Sequence, residues 1–206
     1  MAVKLFKENF VSLLSIIILI IVFYIIKNTA IYESIISFDN SVIKYINSIT
    51  NENRTLFFKI FTFIGDMYVP LAIIIFLFIF VQNKLRPFAL SINYVFYALL
   101  AFIIKSIVMR PRPVESLILA PNSSSFPSGH TLTSIGFYLV LWYILFSKNK
   151  NKVVYLILFI ILIILIGFSR IYLGVHYFSD VFGALLISIP CLFISKNIIN
   201  KLIKEI

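Results

Sequence analysis

Cysteine, histidine, glycine and acidic side chains are all scarce in this chain. Its 206 residues include one cysteine, two histidines, six glycines and eight Asp and Glu, and only 13% of them are charged. A lone Cys191 cannot close an intramolecular disulfide, so cysteine usage says nothing of compartment and the thiol is expected to pack. Two histidines without Cys, Asp or Glu clustered at ligand spacing give neither a zinc site nor a two-metal site. Any hydrolysis is therefore expected to run without a metal, and no other cofactor is implied. Repeats and low-complexity tracts are missing too. The first apolar run follows Lys4 and Lys7 as a signal peptide would, but no small-residue cleavage pattern succeeds it, and it stops at Lys27-Asn28. It is read as an uncleaved span.

What the chain has in abundance is apolar residues, 61% of the total. A soluble domain of this length could not hide that much apolar surface in one core. A helix needs about twenty apolar residues to cross the hydrocarbon of a bilayer, and several runs reach that length. Six spans are expected: Phe10 to Ile26, Ile60 to Val81, Phe88 to Val108, Gly129 to Phe146, Val153 to Phe168 and Phe178 to Ile194. The fold class is thus all-α and polytopic, with residues 1–206 forming one membrane domain. Between the first two spans, Ile35, Phe38, Val42, Ile46 and Ile49 recur at helical spacing. Ile31 to Ile49 is read as an interfacial helix that Asp39-Asn40-Ser41 breaks or caps, and Gly65-Asp66 as an outer turn without chemistry.

Short cationic loops stay in the cytoplasm during insertion. With the N-terminus inside, that side collects Lys4, Lys7, Lys84, Arg86, Lys148, Lys150, Lys152, Lys196, Lys201 and Lys204 against Glu8 and Glu205. Both termini are therefore expected in the cytoplasm of a bacterial-type cell, in its inner membrane. The formal charge of +10 is largely this topology signal, so no nucleic-acid partner is expected. No obligate protein partner is implied either; the surroundings are membrane lipids.

Ionisable groups at a membrane edge are costly, which makes those left over candidates for function. Lys105, Arg110 and Arg112, Ser128-Gly129-His130, Arg170, His176 and Asp180 all fall at span ends on the outer face. Taken singly, Lys105 reads as a snorkelling lysine, Ser128 as a helix cap, Arg170 as an interfacial anchor, and Tyr172 and Tyr177 as interface-belt aromatics. Together, Lys105, Arg112 and Arg170 suit an anion of charge near minus two, because guanidinium forks match phosphate oxygens. Ser128 and Gly129 open a helix whose first-turn N–H groups suit an oxyanion. His176 and Asp180 are four residues apart, so one carboxylate can hold one ring nitrogen and leave the other free to attack phosphorus. His130 is left to protonate the leaving group.

At these residues the sequence resembles the type 2 phosphatidic acid phosphatase family, related in core fold to vanadium haloperoxidases and some bacterial acid phosphatases. Lys105 through Arg112-Pro113 resembles the first motif, Pro127 to His130 the second, and Ser169-Arg170 with His176 and Asp180 the third. The motif core is thus 105–180. The resemblance implies phosphate binding by Lys105, Arg112, Ser128, Gly129 and Arg170, acid catalysis by His130, nucleophilic attack by His176 and orientation of that ring by Asp180. Arg110 lies off the motif and is read as a second head-group contact. The expected activity is hydrolysis of a lipid phosphomonoester or diphosphate through a phosphohistidine, with undecaprenyl diphosphate or phosphatidylglycerol phosphate favoured over phosphatidic acid. Phosphotransfer to another alcohol is the alternative, because the same intermediate could be intercepted by one. A transporter of phosphorylated lipids or anions fits less well, since no charge continues a path through the inner halves of the spans.

Overall fold

The computed structural model describes residues 2–27 and 29–204, with the backbone alone for 2–8 and 203–204. The topology residues Lys4, Lys7, Glu8 and Lys204 therefore have no described side chains, and Asn28 and Glu205 lie outside the described residues. Eight helices follow one another: α1 (Ala2–Ile26), α2 (Ala30–Ile49), α3 (Glu52–Ile64), α4 (Tyr68–Phe80), α5 (Leu85–Val108), α6 (Gly129–Phe146), α7 (Lys152–Tyr172) and α8 (Phe178–Lys204). There is no strand among the described residues. With no water in the hydrocarbon to satisfy backbone groups, helices are what so apolar a chain must form.

Five stretches are long and apolar enough to cross a membrane: Asn9–Ile26, Leu85–Val108, Gly129–Phe146, Lys152–Tyr172 and Phe178–Leu202. The sixth expected span, Ile60 to Val81, is broken instead. α3 and α4 pass the same test only as a pair, bent by 45° between them. The break falls at Gly65, where an added Cβ would lie 2.5 Å from Ile166 of α7 and 3.3 Å from Ser134 of α6. Only glycine lets the chain turn so close to those helices. The carbonyl of Ile64, beside the break, accepts a 2.6 Å hydrogen bond from the Tyr138 hydroxyl.

α6 is the central helix, with ten buried residues from Thr131 to Ile144 distributed around its whole circumference. One core cluster joins α4 to α7 through Ile74, Leu90, Phe137, Tyr138 and Ile166. A second joins α1, α5 and α8 through Ile16, Tyr97, Ile104, Ile187 and Cys191, so the thiol packs as expected. Large side chains along the outer faces of α1, α4 and α7, such as Ile17, Phe76 and Ile161, stay exposed for lipid. The chain is a membrane protein.

α2 runs unbroken through Asp39-Asn40-Ser41. The expected interruption fails because the Ser41 hydroxyl bonds back to the Ser37 carbonyl at 2.9 Å, while Asp39 turns away from its own backbone into the protein. Tyr172 is also not a belt aromatic: it is buried under Phe58, and its hydroxyl accepts from the Asn51 N–H.

The close approach at Gly65 predicts that Gly65→Val destabilises the protein by about 1–3 kcal/mol, the usual cost of overpacking. A lower melting temperature in detergent, with a smaller drop for Gly65→Ala, is the expected measurement.

Candidate active site

The candidate residues come from six separate segments that end at one level of the bundle. Lys105 closes α5, and Arg112 lies in the irregular 109–128 segment. Gly129 and His130 open α6, Arg170 closes α7, His176 occupies the turn after it, and Asp180 lies in the first turn of α8. The irregular segment is tied down by backbone hydrogen bonds: Leu117 N–H to Leu173 O (3.0 Å), Ser125 N–H to Arg110 O (2.8 Å) and Ser128 N–H to Asp180 O (3.1 Å). The turn carrying His176 needs Gly174, whose φ of +70° and close approach to the Glu115 carbonyl exclude a side chain. The amides of Val175 and His176 then both donate to the Arg170 carbonyl at 3.2 Å, which couples the end of α7 to the histidine.

His176 is 2% exposed. Its Nδ1 lies 3.4 Å from Asp180 Oδ2 and 3.4 Å from Ser125 Oγ, while its Nε2 lies 3.3 Å from Arg112 Nη1. Burial pushes the imidazole down to about 4, against the opposing pull of Asp180 and with help from Lys105 and Arg170. The ring is therefore neutral at physiological pH, with Nε2 turned toward the cations.

Those cations form a cradle. Lys105 Nζ donates to the carbonyls of Ser124 (2.5 Å) and Ser125 (3.4 Å). Arg112 donates to the Ser123 and Val175 carbonyls at 2.8 and 2.7 Å. Arg170 donates to the Thr62 hydroxyl, and its buried Nε has no acceptor among the described residues. Gly129 stands at ordinary contact distance from Lys105, where an added Cβ would be 3.7 Å from Cε. Three fixed cations beside the first turn of α6 make a site for a multiply charged oxyanion. Ser128 does not cap α6 with its side chain. Its buried hydroxyl accepts from Thr131 at 3.0 Å, leaving first-turn N–H groups uncapped by it.

The break between α3 and α4 brings in a residue that the sequence reading left without chemistry. Asp66 Oδ2 lies 3.6 Å from His130 Nε2, so the second histidine has its own carboxylate. Arg110 is another correction. It is 4% exposed and ion-paired: Nη1 donates to Asp180 Oδ1 (2.6 Å) and Ser179 Oγ (2.7 Å), and Nη2 donates to Asp39 Oδ2 (2.7 Å). Its guanidinium lies 4.3 Å from the centre of the half-buried Tyr177 ring, which packs on the cation. Both terminal nitrogens of the fork are thus engaged by Asp180, Ser179 and Asp39, while the buried Nε has no acceptor among the described residues.

Sequence reasoning missed Asp39, Asp66, Ser125 and Thr62. Two of them carried a signal. Asp39 falls in the stripe Ile35, Val42, Ile46, Ile49 at spacings of four and three, a charge on an otherwise apolar helix face. Asp66 interrupts an apolar stretch, where an acid is costly unless partnered. Ser125 and Thr62 look like any other hydroxyl in the sequence.

The PAP2 superfamily model matches residues 86–204. The chain is 35% identical over 109 residues to phosphatidylglycerophosphatase B of Bacillus subtilis (strain 168), an alignment covering 50% of this chain and 53%, about half, of that protein. It is 27% identical over 157 residues to undecaprenyl-diphosphatase BcrC of the same organism, covering 72% and 77% of the two chains. In fold it is similar to a transmembrane PAP2-type phosphatidylglycerolphosphate phosphatase from Bacillus subtilis, with a TM-score of 0.78, 24% identity and coverage of 89% and 93%. It is also similar to LpxE of Aquifex aeolicus, with a TM-score of 0.60, 31% identity and coverage of 76% and 93%. The family match takes in every one of the clustered cations and both histidines and extends over more than half of the sequence, and the chain belongs to the PAP2 superfamily.

Proposed function

We propose that this protein is a membrane phosphatase that hydrolyses a lipid phosphomonoester or diphosphate through a phosphohistidine on His176. The observation that carries the reading is the placement of His176: a neutral, buried imidazole whose Nδ1 side faces Asp180 and whose Nε2 faces Arg112 in a cationic cradle. Lys105, Arg112 and Arg170, with the first-turn amides after Ser128 and Gly129, hold the phosphoryl oxygens. The Nε2 lone pair attacks phosphorus, and the bond to the leaving oxygen breaks as His130 donates its proton to that oxygen. Water then attacks the phosphohistidine while His130 takes one of its protons, and the P–N bond electrons return to Nε2. The cradle stabilises charge on the equatorial oxygens in both steps.

Two relatives are described as acting on phosphatidylglycerol phosphate and on undecaprenyl diphosphate, and these are the substrates to test first, with phosphatidic acid third. Purified protein in detergent should release inorganic phosphate from at least one of them with EDTA present, and His176→Ala should release none. Equal release by the variant would discard His176 as nucleophile.

The pH dependence follows from His176. A histidine lowered to about 4 keeps its neutral form until the pH falls through that value. After correction for the substrate's own ionisation, kcat/KM should hold its acid-side plateau to about pH 5 rather than fall near 6.5. Asp66 makes a separate prediction through His130. Asp66→Asn should lower kcat by about ten-fold for a lipid alkoxide, with little loss for nitrophenyl phosphate, whose leaving group needs no proton. Equal losses on both substrates would detach Asp66 from proton donation.

We further infer from the lysine bias that the termini and the 148–152 loop face the cytoplasm of a bacterial-type inner membrane and that the site opens on the outer face. A cysteine placed at Asn149 should resist an impermeant thiol reagent in intact cells. Labelling from outside would reverse the orientation.

A further inference from the structure

Arg110 and Asp39 belong to none of the motifs, yet they form the most deeply buried ion cluster among the described residues. Arg110 is 4% exposed, and both Asp39 and Asp180 are fully buried. One cation lies between two carboxylates contributed by different helices, α2 and α8. Each carboxylate is also held by other donors. Asp39 accepts from the Ser179 N–H (3.0 Å) and hydroxyl (2.5 Å). Asp180 Oδ2 accepts from the Ser125 hydroxyl (2.5 Å) and the Tyr177 N–H (2.9 Å) and faces His176 Nδ1. Arg110 takes the other oxygen, Oδ1.

This division of the two oxygens has a chemical consequence. With Oδ1 fixed by a charged hydrogen bond, the plane of the carboxylate is set and Oδ2 is presented to the histidine. Arg110 also offsets the charge of Asp180, which would otherwise draw a proton onto the ring whose lone pair must attack phosphorus. The guanidinium suits the task because its planar fork presents separate nitrogens, Nη1 and Nη2, to the two carboxylates in a fixed geometry, which the single nitrogen of an ammonium does not. Burial alone would weaken its charge, but Asp180 and Asp39 outweigh that effect and hold it cationic.

We propose that Arg110, braced by Asp39 of α2, is a positioning residue for the His176–Asp180 pair, fixing the carboxylate and offsetting its charge. The proposal rests on His176 being the nucleophile. Besides Arg110 and Asp39, the charged and titratable groups around the pair are Lys105 from α5, Arg112 from the irregular segment, His130 from α6 and Arg170 from α7, with Tyr32 and Tyr177 beside Arg110.

The test is a set of kcat and KM profiles against pH for wild type, Arg110→Gln, Asp39→Asn, the double variant and Arg110→Lys, with His176→Ala as the blank. Arg110→Gln should lower kcat/KM by about 100-fold at neutral pH, in line with the usual loss of a supporting shell, with KM changed by less than about three-fold. Its acid limb should move upward by about 1–2 pH units, because two buried carboxylates without their cation bind an extra proton. Removing the second carboxylate as well should help rather than harm. Arg110→Gln/Asp39→Asn should recover about ten-fold over Arg110→Gln, a non-additivity expected of groups in one network. Arg110→Lys should keep the acid limb near wild type but lose about ten-fold in kcat, since its single nitrogen does not present that fixed geometry to both carboxylates.

A loss confined to KM, an unmoved acid limb, or a double variant that loses the product of the two single effects would overturn the proposal. Should Arg110→Gln give no sharp melting transition, Asp39→Asn and Arg110→Lys decide, and wild-type rates in both would overturn it. Phosphate release that is equal in wild type and His176→Ala sinks the functional reading itself. Full activity in the Arg110 variants beside a silent His176→Ala sinks only the positioning role.

Discussion

The contact on which the site depends is the buried pairing of Asp180 with Arg110 and His176. Asp180 lies in the first turn of α8, and its carboxylate takes bonds from an arginine and a serine of the irregular segment and an amide of its own turn, while facing the histidine. A fully buried carboxylate is tolerable only when its charge is offset and its lone pairs are filled. Meeting that requirement draws α2, the 109–128 segment and the α7–α8 turn onto one point. The other parts of the site, from the Val175 carbonyl that anchors Arg112 to the Arg170 carbonyl that holds the His176 amide, are positioned around it.

Helix ends do the rest. α5 and α7 finish, and α6 and α8 begin, at the same level, so side chains from distant parts of the sequence meet without any loop entering the hydrocarbon unsupported. The exception is the break at Gly65, and beside it the carbonyl of Ile64 is taken by Tyr138. The break also carries Asp66 to His130. The two histidines thus sit opposite different carboxylates, one fully buried and ion-paired, the other partly open to solvent. That asymmetry suits one ring to attack and the other to proton transfer.

The fold was legible where the physics is one-dimensional. Lengths of apolar sequence against the thickness of a bilayer placed α5, α6 and α7 to within a few residues, whereas α1 begins at Ala2 rather than Phe10 and α8 runs to Lys204 rather than ending at Ile194. The same rule merged the end of α3 with α4 into a single span although Gly65-Asp66 read as a turn, and the packing of Ile166 against Gly65 shows where the helix breaks. Within the site, the clustered cations and histidines were legible because charge at a membrane edge is rare and therefore informative. Arg110 was singled out by the same rule but assigned to the head group, because a sequence gives the cost of burying a cation and not the direction in which its fork points.

By itself, then, the sequence determined that this chain spans a membrane through helices, that its unexplained charges crowd toward one end, and which of them suit a phosphate. Those properties follow from composition and spacing along the chain. Only the tertiary structure decided who partners whom. Asp39 and Arg110 are 71 residues apart, and Asp66 and His130 are distant in sequence too, so their pairings arise from helix packing. The physical reason is that burying a charge sets a requirement for a counter-charge without naming its source, and the source is settled by which helices lie side by side.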